Sequence, residues 1–361
     1  MHIKPMRKIL IFLFSCFFSI HAHDIAHGQS IFPAKSDQNS SILTIYSSLE
    51  EVLAEPLIAV FQEQNPDIEI QYYDLQTLDI YERVIQESDG GQNTADLVIS
   101  SAMDLQVKLV NDGYALAIRP TDPQWPSWAK WQDSAFGLTF EPSVIVYNKT
   151  KFKTSKPPAN RSELALLLKD QNSDLFGQIG TYDIERSGLG FLFLARDIEH
   201  DRDIWSLVNA MGASGVKLYP SSASILERVS DGKLSLGYNI LGSYAQSWAA
   251  TNPDLGIILP EDFTVVMTRI ALVPKAAENP ELSAQFLRFL MSEKGQRIMA
   301  EDLELAAVHP AIKGDNTASA FREKFGTRLR PISIGPGLVA YLDQVKRARF
   351  FERWNRALRG E

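Results

Sequence analysis

The chain has 361 residues, with 36 Lys and Arg against 44 Asp and Glu, a formal net charge of −8 and one cysteine. That length suits two domains with cores of their own. The acidic balance excludes a nucleic-acid binder or a protein held on an anionic membrane, and one cysteine excludes a disulfide framework. The one basic tract, residues 346–349, lies on a helical pattern near the C-terminus.

The first residues read as an address. His2, Lys4, Arg7 and Lys8 form a basic lead, residues 9–20 are almost wholly apolar, and Ala22 offers a cleavage point. The pattern is that of a secretory signal peptide over residues 1–22, with an apolar run shorter than the ~20 residues a spanning helix needs. Cys16 closes a loose lipoprotein box in which Phe14 is out of place, so cleavage after Ala22 is preferred to lipid anchoring. Removing the leader takes away three basic residues and the only cysteine. Residues 23–41 are polar and without periodicity, and read as a flexible arm. His21, His23 and His27 straddle the cut, which makes them a solvated tail and not a metal cluster.

From residue 42 the chain alternates strand and helix, as a parallel sheet requires. Residues 42–46 are a β-branched and aromatic strand. Ser47 and Ser48 follow, and Leu49, Val52, Leu53, Leu57, Val60 and Phe61 then fall on one helical face. Ser48 with Glu51 has the spacing of a capping box. Asn65-Pro66 stops the helix, and residues 68–72 start a second strand. Residues 78–88 are helical, residues 95–99 are a buried strand, and this strand also ends at two serines, Ser100 and Ser101, before a helix opens at Met103. Two strand–serine–helix junctions in one sheet point hydroxyls and backbone N–H groups at one crevice.

Two longer extended runs, residues 136–148 and 263–274, bracket a second alternating unit. Within it, helices are expected at 162–169, 188–198, 203–211 and 222–229, and strands at 178–182, 217–219 and 234–240. The chain leaves a first lobe, builds a second and returns. The fold class is α/β, two lobes each with a mainly parallel sheet. Residues 42–138 and 270–361 form the first lobe and 139–269 the second, with crossover strands near 138–147 and 263–274.

At this point five segments in order, TIYSSLEEVLAEPLIAVFQEQNP, ADLVISSAMDLQ, VIVYNKTKF, GYNILGSYA and FLRFLMSEKGQRIMA, give the chain a family likeness. It resembles the periplasmic solute-binding proteins of ABC importers, in the branch related to ferric-iron-binding proteins. GYNILGSYA and IGPGLVAYLDQVKR are most similar to the sub-branch of hexose-phosphate binders and the phosphoglycerate-transport regulatory protein. The resemblance implies a type II periplasmic-binding-protein fold that closes on a small organic anion, a phosphorylated sugar or glycerate or a carboxylate, between its lobes. It implies no cofactor, an ABC permease in the inner membrane as partner, or a sensor kinase in some relatives, a periplasmic location and a monomer.

The same resemblance places the ligand-binding residues. Ser47, Ser48, Ser100 and Ser101 would act from the first lobe. Ser187 and Gly188 would act from a helix start in the second lobe, with Arg186 beside them. Asn239, Ser243 and Tyr244 follow a strand end on the same side. Thr268 and Arg269 lie in the second crossover run. A charge among apolar residues must be paired, so Arg269 grips either the solute's anionic group or an internal acid such as Glu141.

Iron-binding members of the branch carry adjacent tyrosines near the position of residues 237–244, where this chain has Tyr238 and Tyr244, six apart. Tyr72 and Tyr73 are adjacent but point to opposite faces of a strand. Iron is therefore the alternative ligand and no metal site is expected. Enzyme chemistry finds no footing, because the sequence holds no phosphate-loop lysine motif, no HExxH and no GxSxG. His200 reads as exposed in a charged run, and His309 as a packing residue in a loop.

Overall fold

The computed structural model describes residues 28–36, 40–120, 122–169 and 175–361. The signal peptide and the leading histidines fall outside the described residues. Two seven-stranded sheets organise the rest, and both are mixed where mainly parallel sheets are expected, because the crossover runs enter each sheet antiparallel to its strands.

In the first sheet, Ser41–Ser47 runs parallel to both Ile68–Asp74 and Leu97–Ser100. Ile270–Leu272 pairs antiparallel with Leu97–Ser100, and Ala135–Gly137 and Lys130–Trp131 complete that edge. The opposite edge departs from the sequence expectation. Residues 23–41 were expected to be an arm, yet Gln29–Phe32 pairs antiparallel with Ile68–Asp74. Its four residues, Gln-Ser-Ile-Phe, are too few to carry a periodic strand signal; the open edge of the sheet supplies the hydrogen-bond partners.

The second sheet is built on Glu141–Asn148, which pairs antiparallel with Leu236–Leu241, Leu255–Ile258 and Thr264–Met267. Ile179–Tyr182 joins parallel to Leu236–Leu241, and Lys217–Tyr219 parallel to Ile179–Tyr182. The extended run 263–274 therefore serves both sheets, Thr264–Met267 in the second and Ile270–Leu272 in the first, with Thr268 and Arg269 at the crossing. The other run divides in the same way between Ala135–Gly137 and Glu141–Asn148.

The two crossings are bonded to each other. Leu138 N–H donates to the Arg269 carbonyl at 2.8 Å, and Arg269 N–H to Thr139 Oγ1 at 2.9 Å. A Cβ on Gly137 would come within 2.6 Å of the Thr268 hydroxyl, so only glycine allows this approach.

The C-terminal part differs from the expected return to the first lobe. Leu329–Pro331 pairs parallel with Thr264–Met267 in the second sheet. The helix Gln344–Arg359 packs Phe350 on Phe191 and Trp205, which belong to the second-lobe helices Gly188–His200 and Ile204–Ala213. An amphipathic face shows that a helix packs, not against which lobe.

Candidate functional site

Between the sheets lies a cavity of about 280 Å³, near the small end of the range for small-molecule sites. Its walls are mostly the starts of helices. The capping residues of five line it: Glu50 for Glu51–Gln64, Gln76 for Thr77–Asp89, Ser187 for Gly188–His200, Ser221 for Ser222–Ser230 and Leu241 for Gly242–Thr251. Ser101, just before the helix Met103–Asn111, brings a sixth. Each helix start leaves backbone N–H groups without intrahelical partners and concentrates partial positive charge.

The two serine junctions divide their labour in the same way. Ser47 is fully buried and its Oγ accepts from Leu49 N–H at 3.0 Å; Ser100 is fully buried and accepts from Ala102 N–H at 3.2 Å. These first serines hold the turns and do not line the cavity. The second serines, Ser48 and Ser101, do line it. Ser48 Oγ accepts from Ser101 N–H at 3.0 Å and therefore does not form the expected capping box: Glu50, not Ser48, occupies the cap position of Glu51–Gln64, and it makes no side-chain cap bond. Competition from the neighbouring junction, invisible in local sequence, takes the hydroxyl.

From the second lobe, Ser187 and Tyr244 line the cavity. Tyr244 Oη donates to the Ser48 carbonyl and accepts from Glu50 N–H, both at 3.2 Å. Gly188 N–H donates to Thr77 Oγ1 at 3.1 Å. These contacts join the lobes across the cavity.

Gly188 meets the first lobe without lining the cavity, and five more expected site residues lie elsewhere. Arg269 is 1% exposed, and its guanidinium meets Glu141 at 3.0 Å and donates to the Ser48 carbonyl at 3.0 Å. Of its two expected partners, the internal acid is the one it holds. Ser243 donates to the same Glu141, and Thr268 is buried at the crossing, where it accepts from Thr139 N–H at 3.3 Å. Asn239, at φ 64°, binds Asp197 at 2.7 Å within a buried network. There Arg161 meets Asp197 at 2.8 Å and Asp262 at 3.0 Å. Arg186 is exposed and outside the lining.

The cavity also holds residues that the sequence reading missed, chiefly Glu50, Asp74, Thr77, Tyr182, Ser221 and Ser222. Ser221 and Ser222 follow the strand Lys217–Tyr219 and start a helix, so the junction pattern used for the first lobe would have found them. Asp74 and Glu50 gave no such signal. Burial pushes the Asp74 carboxyl up to about 6, with Glu50 adding to the shift. Burial also raises Glu50, against the pull of Arg269.

His309 Nε2 lies 2.9 Å from Asp122, away from the cavity. Tyr238 is bound into the Arg161 network and Tyr72 donates to the Leu49 carbonyl, so neither faces the cavity.

Residues 57–320 match the family model of bacterial extracellular solute-binding proteins. The chain belongs to that family. No curated protein matches it. It is similar to the crystal structure of the substrate-binding protein of an ABC transporter from Agrobacterium tumefaciens, 54% identical over 92% of this chain and 98% of that one, with a TM-score of 0.89. AfuA from Actinobacillus pleuropneumoniae, solved with exogenous fructose-6-phosphate bound, is 17% identical over 88% and 99% of the chains, with a TM-score of 0.72. Iron-bound HitA from Pseudomonas aeruginosa is 16% identical over 88% and 99%, with a TM-score of 0.67. The last two likenesses are of fold alone. This solute-binding protein is not an enzyme, and its two sheets with flanking helices are the two-lobed periplasmic-binding-protein fold. Among the described residues no helix is long and apolar enough to cross a membrane.

The Asp74 shift makes a stability prediction for this solute-binding protein. A carboxyl raised in the folded state favours folding fully below its unfolded value of about 3.9, and that contribution is lost as pH rises through about 6. Asp74→Asn is therefore expected to stabilise the ligand-free protein at pH 7.5 by about 1–2 kcal/mol after allowance for solvent screening. The gain should vanish near pH 4. Thermal melts of both proteins across that range check it, and a gain independent of pH would refute the assigned cause.

Proposed function

We propose that the protein captures a small organic anion, a phosphorylated sugar or glycerate or a carboxylate, in this cavity and delivers it to an ABC permease from the periplasm. The observation that carries the reading is the convergence of six helix starts on one cavity. Oriented N–H groups and the helix dipoles favour an anionic group there without an arginine or lysine in the lining. The hydroxyls of Ser48, Ser101, Ser187, Ser221 and Ser222 add neutral donors for its oxygens. Likeness to the Agrobacterium protein supports the permease as recipient.

Ferric iron fits the lining less well. It prefers several hard, anionic oxygen donors; the lining offers two carboxylates, Glu50 and Asp74, both raised by burial, and burial also raises the phenols of both cavity tyrosines, Tyr244 to about 12 and Tyr182 further.

A thermal-shift screen of the mature protein tests the reading, with fructose 6-phosphate, 3-phosphoglycerate, citrate, inorganic phosphate and ferric citrate. A ligand at ~100 times its dissociation constant adds ~2.7 kcal/mol of stability. A shift with a phosphorylated or carboxylated solute is expected. A shift with ferric citrate but not with citrate would replace the anion by iron, and a screen without any shift would count against an organic anion.

A further inference from the structure

The cavity is electrically two-sided. Its second-lobe wall has the helix starts at Ser187, Ser221 and Leu241 and no carboxylate. Both of its carboxylates, Glu50 and Asp74, stand on the first-lobe wall, one at the start of Glu51–Gln64 and the other at the end of Ile68–Asp74. No lysine, arginine or histidine lines the cavity. Among the described residues neither carboxylate is in an ion pair. Asp74 accepts from Glu51 N–H, which leaves most of its acceptor capacity unused. The charge of Arg269 acts on both Glu50 and Asp74, but its guanidinium is already held by Glu141 and by the Ser48 carbonyl.

We propose that this wall is a cation subsite, and that the solute is zwitterionic, a phosphorylated or carboxylated amine whose ammonium group sits between Glu50 and Asp74 while its anionic group faces the second-lobe helix starts. The proposal rests on the organic-anion reading of the cavity and narrows its substrate class. The physical reason is charge as distinct from hydrogen bonding. Two half-buried carboxylates that face one cavity repel each other and lose hydration. Sugar hydroxyls would satisfy their lone pairs but leave the charge uncompensated. An ammonium group supplies both, with three donors and one positive charge. The separation of charge also fixes the direction in which the solute lies, since reversal would set its anionic group against two carboxylates.

Isothermal titration calorimetry at pH 6.5 with matched probes tests this. The probes are glucosamine 6-phosphate, glucose 6-phosphate, glucosamine and glucose, with phosphoethanolamine and glycerol 3-phosphate as a smaller pair. In at least one size class the amino phosphate is expected to bind about 10-fold or more tighter than its hydroxyl counterpart. The preference should fall below about 3-fold in the Glu50→Gln, Asp74→Asn double variant, which keeps the shape of the wall and removes its charge. Equal binding of both phosphates in wild type would overturn the cation subsite and leave the anion reading intact. So would a preference that survives in the double variant. If glucosamine bound as tightly as its phosphate, the anion reading would fail, and the zwitterionic solute with it. Binding of none of the probes would overturn the proposal.

Discussion

Arg269→Ala is expected to lower the stability of the protein by about 3–5 kcal/mol, the usual cost of removing one partner of a buried ion pair. The side chain is 1% exposed and so is Glu141, which would be left charged beside Ser243 and Thr139. The loss would also leave the Ser48 carbonyl with Tyr244 Oη as its donor and break the link between the crossing and the first serine junction. Urea denaturation followed by tryptophan fluorescence measures the effect. The companion variant Arg269→Met, Glu141→Gln should recover much of it, since removing both charges removes the uncompensated one. A loss below about 1 kcal/mol in the alanine variant would show that Glu141 finds another partner. The residue thus acts as the strut of the crossover and not as the hand that grips the solute.

Gly188→Leu is expected to abolish tight solute binding while leaving both lobes folded. A Cβ at this position would lie 2.8 Å from Leu105 Cδ1 and 3.1 Å from both Ala102 Cβ and Thr77 Oγ1. All three belong to first-lobe elements, whereas Gly188 opens a second-lobe helix. The added side chain would wedge the lobes apart where Gly188 N–H meets Thr77. If only the closed form makes both sets of contacts, disfavouring it by a few kcal/mol lowers affinity by about 100-fold. Titration with whichever solute stabilises the wild type gives the affinity, and small-angle X-ray scattering gives the compaction on binding. Wild-type affinity with wild-type compaction would show that closure does not pass through this contact.

The alternation of strands and helices was legible because each element carries its own periodicity. The strand Lys217–Tyr219 and the start of the helix at Gly188 fall where the residues predict them. The serine junctions were legible for a related reason: a strand that ends in hydroxyl residues and feeds a helix is a local pattern with a local cause. Ser48 and Ser101 came from such junctions, Ser187 and Tyr244 from the family resemblance, and all four line the cavity. Ser47 and Ser100 came from the same pattern and do not, because neighbouring residues at a turn point in different directions and the first of each pair closes the turn.

Other features have no local cause. Arg269 could have served the solute or an acid 128 residues away in sequence, and only the pairing of the two crossover runs decided for Glu141. Asn239 and Tyr238 share a strand end with the cavity side, yet the buried charge of Asp197 draws both into its own network. Glu50 and Asp74 carry no signal in the sequence, and they reach one cavity because two strands of one sheet end side by side. Local pattern carries the two-lobed alternation, the crossover runs and five of the six helix starts at the cavity, all but that of Gly242–Thr251, because each depends on residues close along the chain. The tertiary structure alone decided which polar groups keep a free face. Hydrogen bonds and ion pairs between distant segments consume some of them before any solute arrives, and no local pattern records that competition.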